Sequence, residues 1–373
     1  MQTFDVDNFF DLPFIIAPIN VLIWFYRLYS LFYIKRATPY FYMRTTIKDI
    51  ARELGINPST VSLALHNHTD VSAETKAAIK KLAAKMDYRP NQMAINLRSG
   101  HSKTIGLIIP EISMFFFPSV IKAIEEETHQ RGYNLLVLHS NDSAQREIEN
   151  AEICAFNGVA GVLASLTRES FDIEHFSDLE FAGMPVVYFD KVLQDTVAHK
   201  IEIPSEMAAK KAVVELLNIK KDAQRVCGIF GDVRLHMTQG RVEGFRKGLR
   251  EQNSPFRLDN IVFADSMEEA RKATLELFAQ QVKPDAIFAM TDEVLAGILQ
   301  AIGKLQLHIP NDLAIVAISD GYLPNLSAPP LPYVETSGYK TGRTAIQLLF
   351  DLIDGKHIIP QSSFIDTPFI KND

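Results

Sequence analysis

Residues 46–88 read TIKDIARELGINPSTVSLALHNHTDVSAETKAAIKKLAAKMDY, and this stretch decides the fold of the amino-terminal part of the chain. Thr46 stands three residues before Asp49, which is the spacing of a capping box at the start of a helix. Apolar residues then recur at helical spacing as far as Leu54. Gly55 follows, and glycine readily adopts the left-handed backbone conformation of a tight helix exit. The pattern predicts a short amphipathic helix that ends at Gly55.

Two more helices are predicted after this turn. Asn57 is a favourable N-cap and Pro58 a favourable first residue for the second helix, and Ser72 caps the third. The second helix has an apolar inward stripe: Val61, Ala64 and Leu65. The residues left to face outward on it are Ser59, Thr60, Ser62 and Leu63. The third helix turns these residues inward: Ile79, Leu82, Ala83 and Met86.

Two short helices joined by a tight turn, with a third that completes a small core, form the helix-turn-helix geometry. The second helix of this arrangement enters the major groove of DNA, where hydroxyl side chains reach base edges and apolar ones meet thymine methyl groups. Residues 43–102 carry nine Lys and Arg against five Asp and Glu, whereas residues 103–373 carry a net charge of −11. The charge distribution therefore indicates that only the first part of the chain meets phosphate. A small helical bundle that binds nothing is the alternative for these helices taken alone.

A linker is predicted over residues 89–102. Pro90 stops the third helix, because the residue before a proline avoids helical geometry. The following stretch, NQMAINLRSG, is helical in pattern but too short to be stable as an isolated helix.

The sequence from Thr46 to Gly100 resembles the DNA-binding headpiece and hinge of the LacI/GalR repressor family, and the resemblance continues more loosely to the C-terminus. It implies that paired hinge helices of a dimer fold on the minor groove of a pseudo-palindromic operator, where Leu97 wedges into the central base step. The DNA-binding residues expected from the residues and the resemblance together are Thr46, Ser59, Thr60, Ser62, Leu63, Asn67, Tyr88, Asn91, Ala94, Leu97 and Arg98. Leu63 and Ile95 stand where the family often has arginine, so the resemblance carries over no relative's base preference.

After Ser102, short apolar runs alternate with amphipathic helical stretches, which is typical of parallel sheets covered on both faces. The runs predicted as strands are TIGLIIP, YNLLVLHS, VAGVLAS, MPVVYFD, RVCGIFG, NIVFAD, DAIFAM and LAIVAIS. They are too many for one compact sheet, so residues 103–373 are predicted to form two Rossmann-like lobes. The family resemblance implies a periplasmic-binding-protein-like domain for effector binding and dimerisation. We expect one lobe near residues 103–200 with a segment near 337–356, and the other near 201–336 with the tail. The predicted fold class is thus multi-domain, a small all-α headpiece followed by a two-lobed α/β domain.

Ligands of open α/β sheets bind beyond the carboxyl ends of the strands, and several polar and aromatic residues stand at those points. The predicted effector-binding residues are Phe116, Phe117, Asp190, Arg241, Thr291, Asp292 and Asp320. Carboxylates and an arginine beside aromatic rings suit a polyhydroxylated or otherwise polar ligand. By matched position, the family resemblance implies effector contacts at Arg241 and Asp320, with the other polar residues nearby. For each carboxylate the alternative is a cap on the next helix. Leu235 and Met237 stand where some relatives have polar ligand contacts, which leaves the chemical class of the effector open.

Residues 1–42 precede the organised sequence, and Phe9 to Ile34 is strongly apolar. Its length would span a bilayer, but charged residues and prolines interrupt it, and it fits a secretory signal poorly. We expect that this extension is not native and that translation starts at Met43. A membrane anchor and another kind of appendage are the alternatives.

No nucleotide-binding, zinc-protease or serine-hydrolase motif is present, so we expect neither an enzyme nor a cofactor nor a metal site. Two cysteines, both in apolar runs, fit a reducing compartment. The sequence therefore predicts a cytoplasmic, homodimeric DNA-binding regulator, a repressor controlled by a small-molecule effector such as a sugar. A membrane-tethered DNA-binding sensor and a sugar-binding receptor without DNA binding are the alternatives.

Overall fold

The computed structural model describes residues 45–88, 102–112, 115–254 and 260–372. They belong to two compact units, one within residues 1–91 and one within residues 92–373. The apolar extension and nearly all of the linker predicted over residues 89–102 lie outside the described residues. No helix in the described ranges is long and apolar enough to cross a membrane.

The first unit contains three helices, α1 (Ile47–Leu54), α2 (Pro58–Leu65) and α3 (Ala73–Lys85). The predicted helix ends are confirmed: Thr46 and Asp49 form a capping box, and Gly55 has a φ of 63°. Asn57 and Ser72 cap the other two helices through their side chains. The three helices enclose a small apolar core of Ile50, Ala51, Val61, Ala64, Val71, Ile79 and Ala83.

The second unit alternates strands and helices, as the sequence predicts. Its strands are β1 (Thr104–Ile109), β2 (Asn134–His139), β3 (Gly161–Ala164), β4 (Val186–Phe189), β5 (His199–Glu202), β6 (Val226–Phe230), β7 (Ile261–Phe263), β8 (Ala286–Ala289), β9 (Ala314–Ser319), β10 (Tyr333–Glu335), β11 (Ser362–Phe364) and β12 (Phe369–Ile370). Its helices are α4 (Phe116–Gln130), α5 (Ala144–Phe156), α6 (Glu174–Phe181), α7 (Ser205–Ile219), α8 (His236–Glu251), α9 (Met267–Ala279), α10 (Asp292–Leu305), α11 (Tyr322–Leu326) and α12 (Gly338–Ile353).

Two six-stranded sheets organise this unit. The first lobe has the strand order β11-β5-β4-β3-β1-β2, and the second lobe has the order β12-β10-β9-β8-β6-β7. All pairings are parallel except that of β10 with β12. Because β1, β3 and β4, like β6, β8 and β9, are buried along their length, helices cover both faces of each sheet.

The chain passes between the lobes three times, after β5, after β10 and after β11. All eight predicted strands are confirmed, whereas β5, β10, β11 and β12 were not predicted. The predicted division is right except in the tail. The tail is shared, because β11 joins the first sheet while β12 joins the second.

Helix α12 completes the first lobe. Ala345, Ile346, Leu349 and Phe350 are buried in the core between this helix, the sheet and α4. Gly342 permits the close approach, since a Cβ atom there would lie 2.6 Å from the main-chain oxygen of Val120. The apolar face of α12 therefore packs within its own lobe.

Candidate functional site

The outward face of α2 is only partly as predicted. Ser59 is exposed, but Thr60, Ser62 and Leu63 are half-buried. Leu63 is partly buried and packs against the headpiece core. Of the four residues predicted to face outward, only Ser59 is therefore exposed.

Three other predicted DNA contacts lie around these helices. Thr46 is exposed, and its hydroxyl group bonds to Asp49 Oδ2 at 2.6 Å. Asn67 has a left-handed φ of 57°, and its Oδ1 accepts a hydrogen bond of 2.6 Å from Lys80 Nζ. Tyr88 is half-buried, and burial raises the pKa of its hydroxyl group. The remaining predicted contacts lie outside the described residues: Asn91, Ala94, Leu97 and Arg98.

The structure brings the predicted effector-binding residues together. All seven line one cavity of about 170 Å³ between the two lobes: Phe116, Phe117, Asp190, Arg241, Thr291, Asp292 and Asp320. They converge because the carboxyl ends of the strands in both sheets face this cavity, so strand-end residues from distant parts of the chain meet there.

Arg241 is the buried cation of the cavity. Its Nη1 atom donates a hydrogen bond of 2.8 Å to the main-chain oxygen of Met290, while its Nε atom has no partner among the described residues. Burial lowers the pKa of Arg241 to about 10, although Asp190 and Asp292 favour its charged form. A buried donor without a partner is costly, so this position favours a ligand that supplies an acceptor.

Asp190 is the acceptor beside it. This residue follows β4 with a φ of 60°, a left-handed conformation that is uncommon for aspartate outside turns and functional sites. Burial raises the pKa of its carboxyl group, and Lys191 and Arg241 only partly oppose that effect. Together Asp190 and Arg241 present an acceptor and a donor to the cavity, as recognition of a hydroxyl group requires.

Thr291 and Asp292 hold the start of α10. The Thr291 side chain accepts a hydrogen bond from the main-chain N–H of Val294, as an N-cap does. The Asp292 carboxylate accepts hydrogen bonds from the Ser319 hydroxyl group and, at 3.0 Å, from the main-chain N–H of Asp320. Burial raises the pKa of Asp292. Both residues therefore line the cavity and also have structural partners of their own.

Asp320 links the two lobes. It follows β9 in the second lobe, and its carboxylate accepts hydrogen bonds from the Ser119 hydroxyl group and from the main-chain N–H of Gly338, at 2.7 Å, in the first lobe. Burial is the main reason why its pKa is raised. The structure thus gives Asp320 a role that its position in the sequence did not reveal.

Apolar side chains form the rest of the wall. The rings of Phe116 and Phe117 meet edge to face, with centroids 5.5 Å apart, at the start of α4. Leu235 and Met237 line the cavity on the side of α8. Polar groups that converge between apolar surfaces are typical of small-molecule sites.

Sequence reasoning missed several charged residues of the cavity: Glu111, Arg168, Lys191, Asp232, Asp265 and Glu293. Each comes shortly after a strand or at a helix start, so the strand-end rule that identified Asp190 could have identified most of them. Their mutual contacts, by contrast, leave no signal in the sequence.

Two family models match this chain. Residues 46–91 match the model of bacterial regulatory proteins of the lacI family, and residues 219–371 match that of a periplasmic binding protein-like domain. The chain thus combines a lacI-family DNA-binding domain with a periplasmic-binding-protein-like domain. Similar proteins include the ribose operon repressor of Bacillus subtilis, 29% identical over 83% of this chain and 91% of that protein. Catabolite control protein A of Priestia megaterium is 27% identical over 87% of this chain and 97% of its own length.

Solved structures show the same fold. The lac repressor dimer bound to operator and an anti-inducer superimposes with a TM-score of 0.77 at 20% identity, covering 88% of this chain and 98% of that one. A complex of the transcriptional regulator CelR with cellobiose gives a TM-score of 0.65 at 21% identity, with the same coverage.

Proposed function

We propose that this protein is a sequence-specific DNA-binding transcriptional regulator, a repressor, whose affinity for its operator is controlled by a small polar effector. The observation that carries the proposal is the cavity at Asp190 and Arg241 in a chain that also carries a lacI-family headpiece. A sensing cavity and a DNA reader in one chain serve ligand-dependent binding to DNA.

On the DNA side, the proposal places α2 in the major groove. Ser59 is its exposed hydroxyl residue, and neighbouring Thr60 is half-buried. Short polar side chains there hydrogen-bond base edges. A homodimer would present two such helices to the two half-sites of a palindrome. In this proposal the linker residue Leu97 supplies the minor-groove wedge, and the protein works in the cytoplasm.

On the effector side, the cavity favours a ligand of small size without negative charge. Its lining includes more carboxylates than cations, so an anionic ligand meets net repulsion. Arg241 Nε lacks an acceptor, and no described residue donates a hydrogen bond to the Asp190 carboxylate. A hydroxyl group accepts from one and donates to the other. We therefore infer an uncharged polyhydroxylated effector, of which a sugar is one example.

Selection of duplexes from a random library with the full chain tests the DNA-binding part. We expect a two-fold motif, whose recovery weakens as the salt concentration rises. Ser59→Ala should change the base preference at one symmetric pair of positions, at a cost of about 1–3 kcal/mol if the hydroxyl group makes a base contact. Ala84→Ser adds one hydroxyl group on the exposed surface of α3 and serves as the control. If the folded full chain recovers no motif, the proposal that the protein is a DNA-binding regulator is refuted.

The effector part is tested by adding uncharged sugars and nucleosides to the selected duplex complex. We expect one of them to change operator affinity in the wild-type protein, and the change to disappear in Arg241→Met. That variant must still bind the operator, because Arg241 lies in the second unit and not in the headpiece. A ligand response that survives in Arg241→Met would contradict the assignment of the cavity.

A further inference from the structure

Arg168 follows β3 and is anchored within the first lobe. Its Nε and Nη2 atoms lie 3.0 Å and 2.9 Å from Asp142 Oδ2, and its main-chain N–H donates to Asp142 Oδ1 at 3.3 Å. Three-quarters of the Arg168 side chain is buried. Two guanidinium nitrogens on one carboxylate oxygen fix the direction of the group.

The same guanidinium group reaches across to the second lobe. Its Nη1 atom donates to the Asp265 carboxylate and lies 3.8 Å from Asp232 Oδ2. Asp265 follows β7 and Asp232 follows β6, so both carboxylates belong to the second lobe. Arg168 thus joins carboxylates of both lobes at the rim of the effector cavity.

This contact lies on the side of the lobes opposite the crossovers. Asp142 follows β2 and Asp265 follows β7, and these strands form the corresponding edges of the two sheets. The three crossovers leave from β5, β10 and β11, on the other side of the sheets. A rotation of the lobes about the crossovers therefore moves Arg168 and Asp265 apart farther than it moves the residues beside the crossovers, such as Asp320 and Gly338.

The contact is also separable. Asp265 Oδ1 accepts a hydrogen bond of 2.9 Å from the main-chain N–H of Asp232, and the Asp232 carboxylate pairs with Arg234 in the same lobe. When the lobes move apart, each charged group keeps a partner in its own lobe. The side chain of Asp265 is 40% exposed, so water replaces the lost partner at small cost. A contact of this kind biases an equilibrium between two lobe orientations and does not fix one of them.

We propose that Arg168 is a positioning residue for the effector cavity, whose ion pair with Asp265 holds the two lobes together on the side opposite the crossovers. The ion pair acts on the lobes whether or not effector and operator are bound. Only the link from lobe orientation to effector and operator binding rests on the proposed function. An effector that enters the cavity changes the surroundings of both residues, because both line it. The ion pair is therefore a point at which ligand binding alters lobe orientation.

The separation of the lobes tests this proposal directly in the full chain. Spin labels at Asp172→Cys in the first lobe and Lys272→Cys in the second report the distance across this side, and both positions are exposed. The native residues Cys154 and Cys227 are buried, so labels attach at the introduced cysteines. Pulsed electron paramagnetic resonance then measures the distance distribution in the labelled protein and in its variants.

We expect Arg168→Met and Asp265→Asn each to shift the distribution toward longer distances, and the double variant to shift it no further than either single change. Arg234→Met is the matched control. It also removes an arginine from Asp232, but that pair lies within the second lobe, so the distribution should not shift toward longer distances. Wild-type distances in Arg168→Met, or an equal shift in Arg234→Met, would overturn the proposal. Asp265→Asn is nearly isosteric and keeps the test valid if Arg168→Met fails to fold.

Operator affinity supplies the second measurement. If lobe orientation controls DNA binding, Arg168→Met and Asp265→Asn should change the Kd for the selected duplex in the same direction, by about fivefold or more. Arg234→Met should not change the Kd in that direction. Shifted lobe distances with an unchanged Kd would overturn the link to DNA binding and leave the positioning role supported. If the wild-type chain binds no duplex but the distances shift as expected, the proposal of a DNA-binding regulator is refuted. The positioning role of the ion pair is then still supported.

Discussion

The carboxylate of Asp320 in the second lobe accepts a hydrogen bond of 2.7 Å from the main-chain N–H of Gly338, the first residue of α12 in the first lobe. Its other oxygen accepts from the Ser119 hydroxyl group on α4. One side chain therefore satisfies two donors of the first lobe beside the second crossover, where Thr336 N–H donates to the Ser319 main-chain oxygen at 2.8 Å. This carboxylate lines the cavity and at the same time fixes how the lobes join.

Replacing Asp320 by alanine should destabilise the second unit by about 1–3 kcal/mol, because the substitution removes the acceptor for two partly buried donors. Asp320→Asn keeps one acceptor oxygen and should lose less. Urea unfolding of the full chain, monitored by circular dichroism, measures the difference. Asp354→Ala is the control, since that carboxylate makes an exposed ion pair with Arg131 and should contribute less than about 1 kcal/mol. Equal losses in Asp320→Ala and Asp354→Ala would contradict the linking role.

The buried carboxyl group of Asp190 should make the free energy of unfolding depend on pH. Burial raises its pKa in the folded protein above the value in the unfolded chain, so the folded state binds the proton more tightly. Its contribution to the free energy of unfolding therefore grows as pH falls from neutral through the raised pKa, and levels off near the ordinary value of an aspartate. Asp190→Asn should raise Tm at pH 7, by about 2–4 °C for each kcal/mol gained.

The advantage of Asp190→Asn should shrink as the pH is lowered from 7 through the raised pKa of Asp190, because the wild-type carboxyl group then takes up its proton. Thermal melts at several pH values measure this, with the exposed Asp172→Asn as the control. A pH-independent difference between Asp190→Asn and wild type would show that the charge of Asp190 is not responsible.

Glu147 should stabilise the loop that carries Arg168. Its buried carboxylate accepts hydrogen bonds from the main-chain N–H of Thr167 at 2.7 Å and from the Ser170 hydroxyl group at 2.6 Å. Glu147→Ala removes the acceptor of the Thr167 N–H and the carboxylate partner of the Ser170 hydroxyl group, at a cost of about 1–3 kcal/mol, and Glu147→Gln retains one acceptor oxygen. Hydrogen exchange should accelerate over residues 167–170 in Glu147→Ala. Unchanged exchange there, with a folded protein, would mean that the loop is held by other contacts.

Gly55 should be important for headpiece stability through its backbone alone. Its φ is 63°, and a Cβ atom there would meet nothing within 4 Å. Gly55→Ala should therefore cost about 1–2 kcal/mol of left-handed strain, and Gly55→Asn less. Faster exchange of the α1 amides in the full chain would report the loss.

Gly303 is the matched control for that substitution. It lies inside α10 with no positive φ and equally open space around it. Gly303→Ala should stabilise its helix by about 0.5–1 kcal/mol. If Gly55→Ala were as harmless as Gly303→Ala, the left-handed turn would not constrain the headpiece.

The headpiece was predictable in detail because its determinants are local. Thr46, Asp49, Gly55 and Asn57 each act within three residues of the helix end that they define. The partial burial of Leu63 was not predictable in the same way, since it depends on how the three helices pack around the headpiece core.

The strands divide along the same line. The eight predicted strands are apolar enough to be recognised alone, whereas β5 reads HKIE and is a strand because it lies between β4 and β11. The ion pair of Arg168 with Asp265 joins residues 97 positions apart, which no local pattern encodes. The strand-end rule identified where the cavity lies, but the distribution of hydrogen bonds within it depends on the packing of two sheets.

The second crossover returns the chain to the first lobe, so that lobe is completed only by α12 and β11, after the buried elements of the second lobe. The core of the first lobe contains Leu349 and Phe350 of α12, and β11 supplies the outermost strand of its sheet. The second lobe has its buried strands and helices complete by residue 335 and gains only the short edge strand β12 afterwards. On the ribosome, the lobe whose synthesis begins first is thus the later of the two to bury its core. Premature termination before α12 would expose the apolar surface of the first lobe while the second could already be folded.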